Sequence, residues 1–404
     1  MKFKNILSSF ALLVLFSGCA TTGTGPGVEP EPSQQIITET PAGPIDVTFA
    51  GFAFLGDTAE KERLYPYSSR LAKIKNAIGQ TFFNEKLFNE ARNINNPNLN
   101  IKLSGGADYE KGETISLAFA VSTEKTRVQK FQDKYLVAFE VYAQIVVFDF
   151  YEKKVIATYP IRMQYTDVLT EHPSDEYSLG AFKKIYGLDP GLKTNIIKLW
   201  VERMNSIQPK ESIGNHIRIA EVDVPAETLA KVPNNVSFAK QAGQMLETFL
   251  SSNQSVPVVP YFQGGSMRKM QIQFVNREIQ NLTLPEADYE IYLKVRPFEK
   301  YVTDQEDFTK VIYGSFIDLK LRHVDLDETY MDASFRNIPS AIIPKGAGIK
   351  IYDWDEYLKS LQNLFNDFTK QLSIMDSDYF EKTTRTENIK DQFRKFMSVI
   401  YKVR

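Results

Sequence analysis

Between Tyr135 and Phe150 apolar residues fall on every second position: Val137, Phe139, Val141, Ala143, Ile145 and Val147. A period of two over so long a run fits a β-strand and not a helix, whose facing positions recur every three or four residues. Glu140 and Gln144 lie on the opposite face, which predicts an antiparallel strand with one dry and one wet side. Tyr151-Glu152-Lys153-Lys154 suits a hairpin turn, and strands near 114–122 and 154–166 complete a three-strand meander. Upstream, Ile45 to Leu55 (IDVTFAGFAFL) reads as a buried strand that ends at Gly56-Asp57. Leu71, Ile74, Ile78 and Phe82 then recur at helical spacing, and Ile101 to Leu103 gives a short strand before the Gly105-Gly106 turn. Helical spacing returns in Ile196, Leu199, Trp200 and Met204, after Pro190-Gly191.

The second half runs through the same order. Ile217 to Val224 (IRIAEVDV) is a strand, and Phe238, Ala242, Met245 and Phe249 mark an amphipathic helix. Val256 to Tyr261 is a short strand whose two prolines assign it to an edge. Strands near 288–296, 310–324 and 329–336 follow. In the middle one Val311, Tyr313, Ile317, Leu319 and Leu321 share a parity, opposite Lys310, Asp318, Lys320 and Arg322. Trp354, Tyr357, Leu358, Leu361, Leu364, Phe365, Phe368 and Leu372 then draw a long helical stripe. The expected fold class is α+β, a tandem duplication of a strand–helix–strand–three-strand meander–helix unit forming two sheet/helix sandwich domains. The first domain spans 45–206 and the second 212–375, with SIQPKESI at the boundary. A carboxy-terminal amphipathic helix, 376–404, carries Ile389, Phe393, Phe396 and Ile400 and packs on its own domain. The repeat lies in element order and spacing, not in residue identity.

With 48 Lys plus Arg against 50 Asp plus Glu, the formal charge is -2, so no basic field exists to hold nucleic acid. One cysteine and three histidines exclude an internal disulfide framework and argue against a Cys/His metal site.

Residues 1–18 carry Lys2 and Lys4 and then an apolar run from Ile6 to Phe16. As a helix that run spans about 16 Å, short of a ~30 Å hydrocarbon core, so it reads as a secretory signal rather than a membrane span. The small residues Ser17 and Gly18 directly precede Cys19, the chain's single cysteine. Leu15-Phe16-Ser17-Gly18-Cys19 resembles the lipobox of bacterial lipoproteins, with Phe16 where that family usually has Leu. The resemblance implies cleavage before Cys19, lipidation of its thiol and acylation of its new amine. Several acyl chains anchor stably where one does not. Ala20 follows the cysteine in place of the Asp that retains many such proteins at the inner membrane. The resemblance therefore implies an outer-membrane anchor with the body in the periplasm, or the outer face of the plasma membrane in a one-membrane cell. Residues 19–44 hold five prolines and four glycines without apolar periodicity, a flexible tether with an end-to-end distance of roughly 25–30 Å.

The segment AFEVYAQIVVFDFYEKKVIATYPI, an alternating strand, a turn and a returning strand, is similar in layout to α/β domains of envelope-assembly proteins. These include the curli-secretion lipoprotein, the lipoprotein activators of penicillin-binding proteins and the amino-terminal domain of the Tol-system propeller protein. The likeness is one of layout alone and implies no site residues.

Catalytic patterns are sparse. His172, His216 and His323 form no His-x-x-x-His pair, and no phosphate-binding loop or Gly-x-Ser-x-Gly elbow occurs. Ser122/Lys125, Ser237/Lys240 and Ser266/Lys269 match Ser-x-x-Lys, near the number chance gives, without the companion motifs of transpeptidases. Tyr352-Asp353-Trp354-Asp355-Glu356 has the makeup of a sugar site, but Asp353 with Glu356 three residues on is expected to cap the helix reciprocally. Tyr65-Pro66-Tyr67 and Pro260-Tyr261-Phe262 are weak candidates for exposed contact sites. The expected function is non-catalytic binding of an envelope protein partner by a lipid-anchored protein, with Cys19 as the lipidation site and no cofactor, metal or nucleic acid. The alternatives are an oligomeric secretion pore, for which 135–150 has the length of a membrane strand, and a cell-wall hydrolase.

Overall fold

The computed structural model describes residues 43–404 apart from 104–114, 132, 209, 211–212, 234–236, 263–268, 277 and 347–350. Cys19, the signal segment, most of the tether, the Gly105-Gly106 turn and part of the SIQPKESI boundary lie outside the described residues.

The first strand, β1 (Ile45–Leu55), leads through the short helices α1 (Lys61–Leu64) and α2 (Pro66–Leu71) to α3 (Phe82–Ala91). After β2 (Leu99–Lys102) come the long antiparallel strands β3 (Ile115–Phe131), β4 (Lys134–Asp149) and β5 (Lys154–Leu169), then α4 (Asp175–Ile185) and α5 (Ile196–Ser206). β1 runs parallel to β3 on one side and to β2 on the other.

The second half starts with β6 (Ile217–Asp223), α6 (Ala226–Leu229) and α7 (Phe238–Gln254), followed by a hairpin of β7 (Lys269–Phe274) and β8 (Ile279–Thr283). Next come β9 (Tyr289–Val295), β10 (Glu299–Asp304), β11 (Phe308–His323), β12 (Thr329–Asn337) and β13 (Ser340–Pro344). The chain ends in α8 (Asp353–Ile374), α9 (Ser377–Thr383) and α10 (Ile389–Val403). β6 is parallel to β9, and β11 is flanked antiparallel by β9 and β10 on one side and by β12 and β13 on the other.

The halves thus share one plan: a strand, a crossover helix, and a meander whose first strand pairs parallel with the opening strand. The second meander occupies 289–304, 308–323 and 329–344, matching the reach of β3, β4 and β5. Its outer strands are interrupted at Pro297 and Pro339, which have no N–H to give the ladder. The opening strands even share a bulge. Register shifts between Phe49 and Gly51 in β1 and between Ile219 and Glu221 in β6. Each bulge flips the side-chain parity, so Val47, Phe49, Phe52 and Phe54 all reach one core, as do Ile217, Ile219 and Val222.

Helices α2 to α5 cover one face of the first sheet around Phe83, Phe119, Phe139, Phe182 and Trp200. Helices α7, α8 and α10 cover one face of the second. All eight residues of the α8 stripe are buried, and Phe393 of α10 packs against Phe335, Phe368 and Phe380. Each such side chain contributes roughly 1.5–3 kcal/mol on burial.

Four expectations are corrected. The apolar series 71–82 is not a helix: α2 ends at Leu71, and the Asn76 side chain accepts the amides of Ile78 (3.1 Å) and Gln80 (3.0 Å), bending the chain through Gly79 at φ +81°. Ile74 is 40% and Ile78 85% exposed, and the helix begins instead at Phe82, burying Phe83, Leu87 and Ala91. Val256–Tyr261 forms no strand, because Pro257 and Pro260 leave too few amides. Val259 makes a single parallel bridge to Arg218, and Val258 N–H donates to Thr158 O (3.0 Å), so the segment runs between β5 and β6. Asp353 caps nothing: it accepts from Lys300 and Tyr313, and Tyr352 occupies the N-cap without a side-chain bond. Finally, the wet face of β4 is dry. Glu140 is 4% and Gln144 3% exposed, because α7 and the β7–β8 hairpin, both from the second half, cover that side. The 135–150 strand is therefore packed on both faces within the protein.

The hairpin does more than cover. β7 pairs antiparallel with the end of β1, and β8 meets the start of β5, so β1, β3, β4, β5, β8 and β7 close a ring around a third small core. Residues 43–404 form one compact unit.

Candidate functional site

Two features stand out: a polar seam with a cavity between the first sheet and α7, and an open face on the second sheet. The seam begins with α7, whose apolar stripe (Phe238, Ala242, Met245, Leu246) faces the second sheet. Its polar stripe then has to face the back of the first. Gln241 accepts from Lys125 Nζ (3.4 Å) and donates to Glu140 (3.4 Å), which also accepts from Arg162 (3.2 Å). Thr123 donates to Gln244 (3.2 Å). Burial pushes the Lys125 ammonium down to about 8, against the pull of Glu140. Glu247, 1% exposed, is pushed up to about 8 by burial, only partly offset by the backbone amide of Tyr261 and by Lys240.

Beside the seam lies a cavity of about 460 Å³. It is bounded by the end of β1, by Ser122 and Gln144 of β3 and β4, by Lys240 and Gln244 of α7, and by the hairpin at Lys269–Gln271 and Asn281. Asp57 also reaches it, with its Oδ1 accepting the Ala59 amide (2.9 Å). Ser122 Oγ donates to Tyr142 O (3.2 Å), whereas Gln144 Oε1 is buried without a hydrogen-bond partner. Burial lowers the Lys240 pKa, with Glu247 opposing.

Among the described residues no helix covers the outer side of the second sheet. Its cross-strand rows there are Arg218–Glu290–Arg322, Glu221–Tyr292–Lys320–Asp332 and Asp223–Lys294–Asp318–Ser334. Glu290 is nearly buried yet anchors the first row, accepting from Arg218, Arg322 (3.1 Å) and the Tyr292 hydroxyl (2.5 Å). Burial raises its pKa, and those three donors outweigh burial and hold it below the usual carboxylate range. The matching side of the first sheet is the one buried by α7 and the hairpin.

Sequence candidates scatter across this frame. Ser122 and Lys240, from different Ser-x-x-Lys matches, both line the cavity, and Ser266 lies outside the described residues. His172 is exposed, His216 sits beside Asp288 (4.0 Å), and the His323 ring accepts two turn amides. Among the described residues no group of three or more His, Cys, Asp or Glu is placed to hold a metal. Of the expected contact sites, Tyr65 is buried with its hydroxyl bonded to Leu55 O, Tyr67 stacks on Phe182, and Tyr261 is buried against Gly243. The seam itself was missed, since Lys240, Gln244 and Glu247 at helical spacing look like any solvated helix face.

No family model matches the sequence, and no curated protein matches it. Among solved structures it is similar to a minor lipoprotein from Acinetobacter baumannii, at 9% identity and a TM-score of 0.22 over 43% of this chain and 98% of that one. A Xanthomonas campestris protein of family DUF330 shows 10% identity and a TM-score of 0.24 over 42% and 90%. A neuraminyllactose-binding hemagglutinin homolog from Helicobacter pylori shows 17% identity and a TM-score of 0.26 over 42% and 92%. Scores this low establish neither a shared fold nor a shared activity.

Proposed function

We propose that this is a lipid-anchored cell-envelope protein that binds another envelope component without catalysis, held by acylated Cys19 and reaching out on its 19–44 tether. The observation that carries the reading is the placement of the chain's single cysteine directly after a charged, apolar, then small-residue leader. Among the described residues no helix is long and apolar enough to cross a membrane. In this reading several acyl chains on Cys19 supply the attachment. Ala20 favours the outer membrane, with the body in the periplasm. The open face of the second sheet supplies a rigid surface for an envelope protein partner. Its side chains stand on paired strands, and one row is pinned by the buried Glu290.

Cys19→Ala with cell fractionation tests the anchor: the variant should leave the membrane fraction for the soluble periplasm. A photocrosslinking residue at Lys294 or Lys320 tests the surface, and should capture one discrete partner. A Cys19→Ala chain that stays membrane-bound would remove the tether from the reading. Crosslinks absent from the sheet face but abundant elsewhere would move the binding surface.

A further inference from the structure

The cavity beside α7 is independent of the proposed partner surface. Its volume, about 460 Å³, lies in the range of small-molecule sites, roughly 300–1,000 Å³. Its walls divide by chemistry. Leu64, Tyr261 and Phe262 supply apolar surface, and Lys240 reaches it from α7. Lys240 has neither a hydrogen bond nor a carboxylate within ion-pair distance among the described residues, and the carboxyl that opposes its desolvation, Glu247, is itself biased towards the neutral form. A lysine without a protein partner among the described residues, facing a space walled in part by apolar side chains, defines an anionic and partly apolar ligand by complement.

We propose that this cavity binds a small single-chain anionic amphiphile. Its acid group pairs with Lys240, and its apolar body lies against Leu64, Tyr261 and Phe262. The space takes one chain and not the two of a bilayer phospholipid, so the ligand is a free amphiphile rather than a membrane headgroup. Among the described residues of the lining the charged ones are Asp57, Lys240 and Lys269, a formal balance of +1 that favours an anion.

The test uses the mature chain from residue 19 carrying Cys19→Ala, so that neither acyl chains nor detergent compete. N-decanoylglycine, which has a carboxylate, an amide N–H and one chain, is titrated by calorimetry beside neutral decanamide. The wild-type cavity should bind the acid at least tenfold more tightly than the amide. Lys240→Met should abolish that preference and leave decanamide binding unchanged. Leu64→Trp, on the partly exposed wall of the space, should weaken both ligands while its circular dichroism matches the parent. No binding of the acid at 1 mM, or equal affinity in the Lys240→Met variant, would overturn the proposal.

Discussion

Glu247 offers a measurement whose size follows from its burial. Its carboxyl titrates near 4.5 in an unfolded chain and near 8 inside α7. Between those values the folded protein keeps a proton that the unfolded chain has released. Stability therefore falls as pH rises through that window and levels off above it. The whole gap corresponds to ~5 kcal/mol, and the part between about pH 5.5 and about pH 8.5 to roughly 3 kcal/mol. Glu247→Gln keeps the shape and removes the titration. Its own cost or gain in packing is nearly independent of pH, so the informative quantity is how its advantage over the wild type changes. Urea unfolding of both proteins, followed by tryptophan fluorescence and circular dichroism, should show that advantage growing by roughly 3 kcal/mol between the two pH values. Titration of groups that do not interact with Glu247, such as His216, cancels in the comparison. A difference flat to within about 0.5 kcal/mol would mean that the carboxyl is solvated or paired, and the desolvation argument would fail.

Two further outcomes follow from named contacts. Arg162→Met strips the guanidinium from the buried Glu140 and should cost ~3–5 kcal/mol in urea unfolding, whereas Glu140→Gln with Arg162→Met should recover most of it. Gly51 sits at φ +97°, and a Cβ there would stand 2.8 Å from the Asn84 Oδ1 that accepts the Phe52 amide, so Gly51→Ala should cost ~1–3 kcal/mol. Gly214→Ala, with open space around it, serves as the neutral control in the same melts.

What was legible in the chain is what neighbours along it control. Strand alternation in 134–149 and 308–323, the α8 and α10 stripes and the repeated element order are all properties of local spacing, and each corresponds to an observed element. Local pattern failed where a single side chain redirected the backbone, as Asn76 does after α2. It failed again where the apolar run was too short or too polar to signal a strand, as in KMQIQF and IQNLT of the β7–β8 hairpin.

The candidate site was not legible at all, for a related reason. Lys240, Gln244 and Glu247 recur at helical spacing opposite an apolar stripe, and Glu140 and Gln144 alternate with apolar neighbours. Both are signatures of a wet surface. Periodicity states which residues share a face; it does not state what covers that face. Burial of both polar faces against each other depends on α7, some hundred residues beyond β4, packing between the two sheets. That placement turns an ordinary solvated stripe into buried titratable groups with displaced pKa values and a cavity lined by a lysine without a protein partner among the described residues. The proposed address at Cys19 is the opposite case: it would need no fold, because such a signal is read from an extended chain. Sequence therefore carried the expectation of an anchor, the strands and the repeat, and the packing of one half against the other created every feature proposed to bind a small molecule.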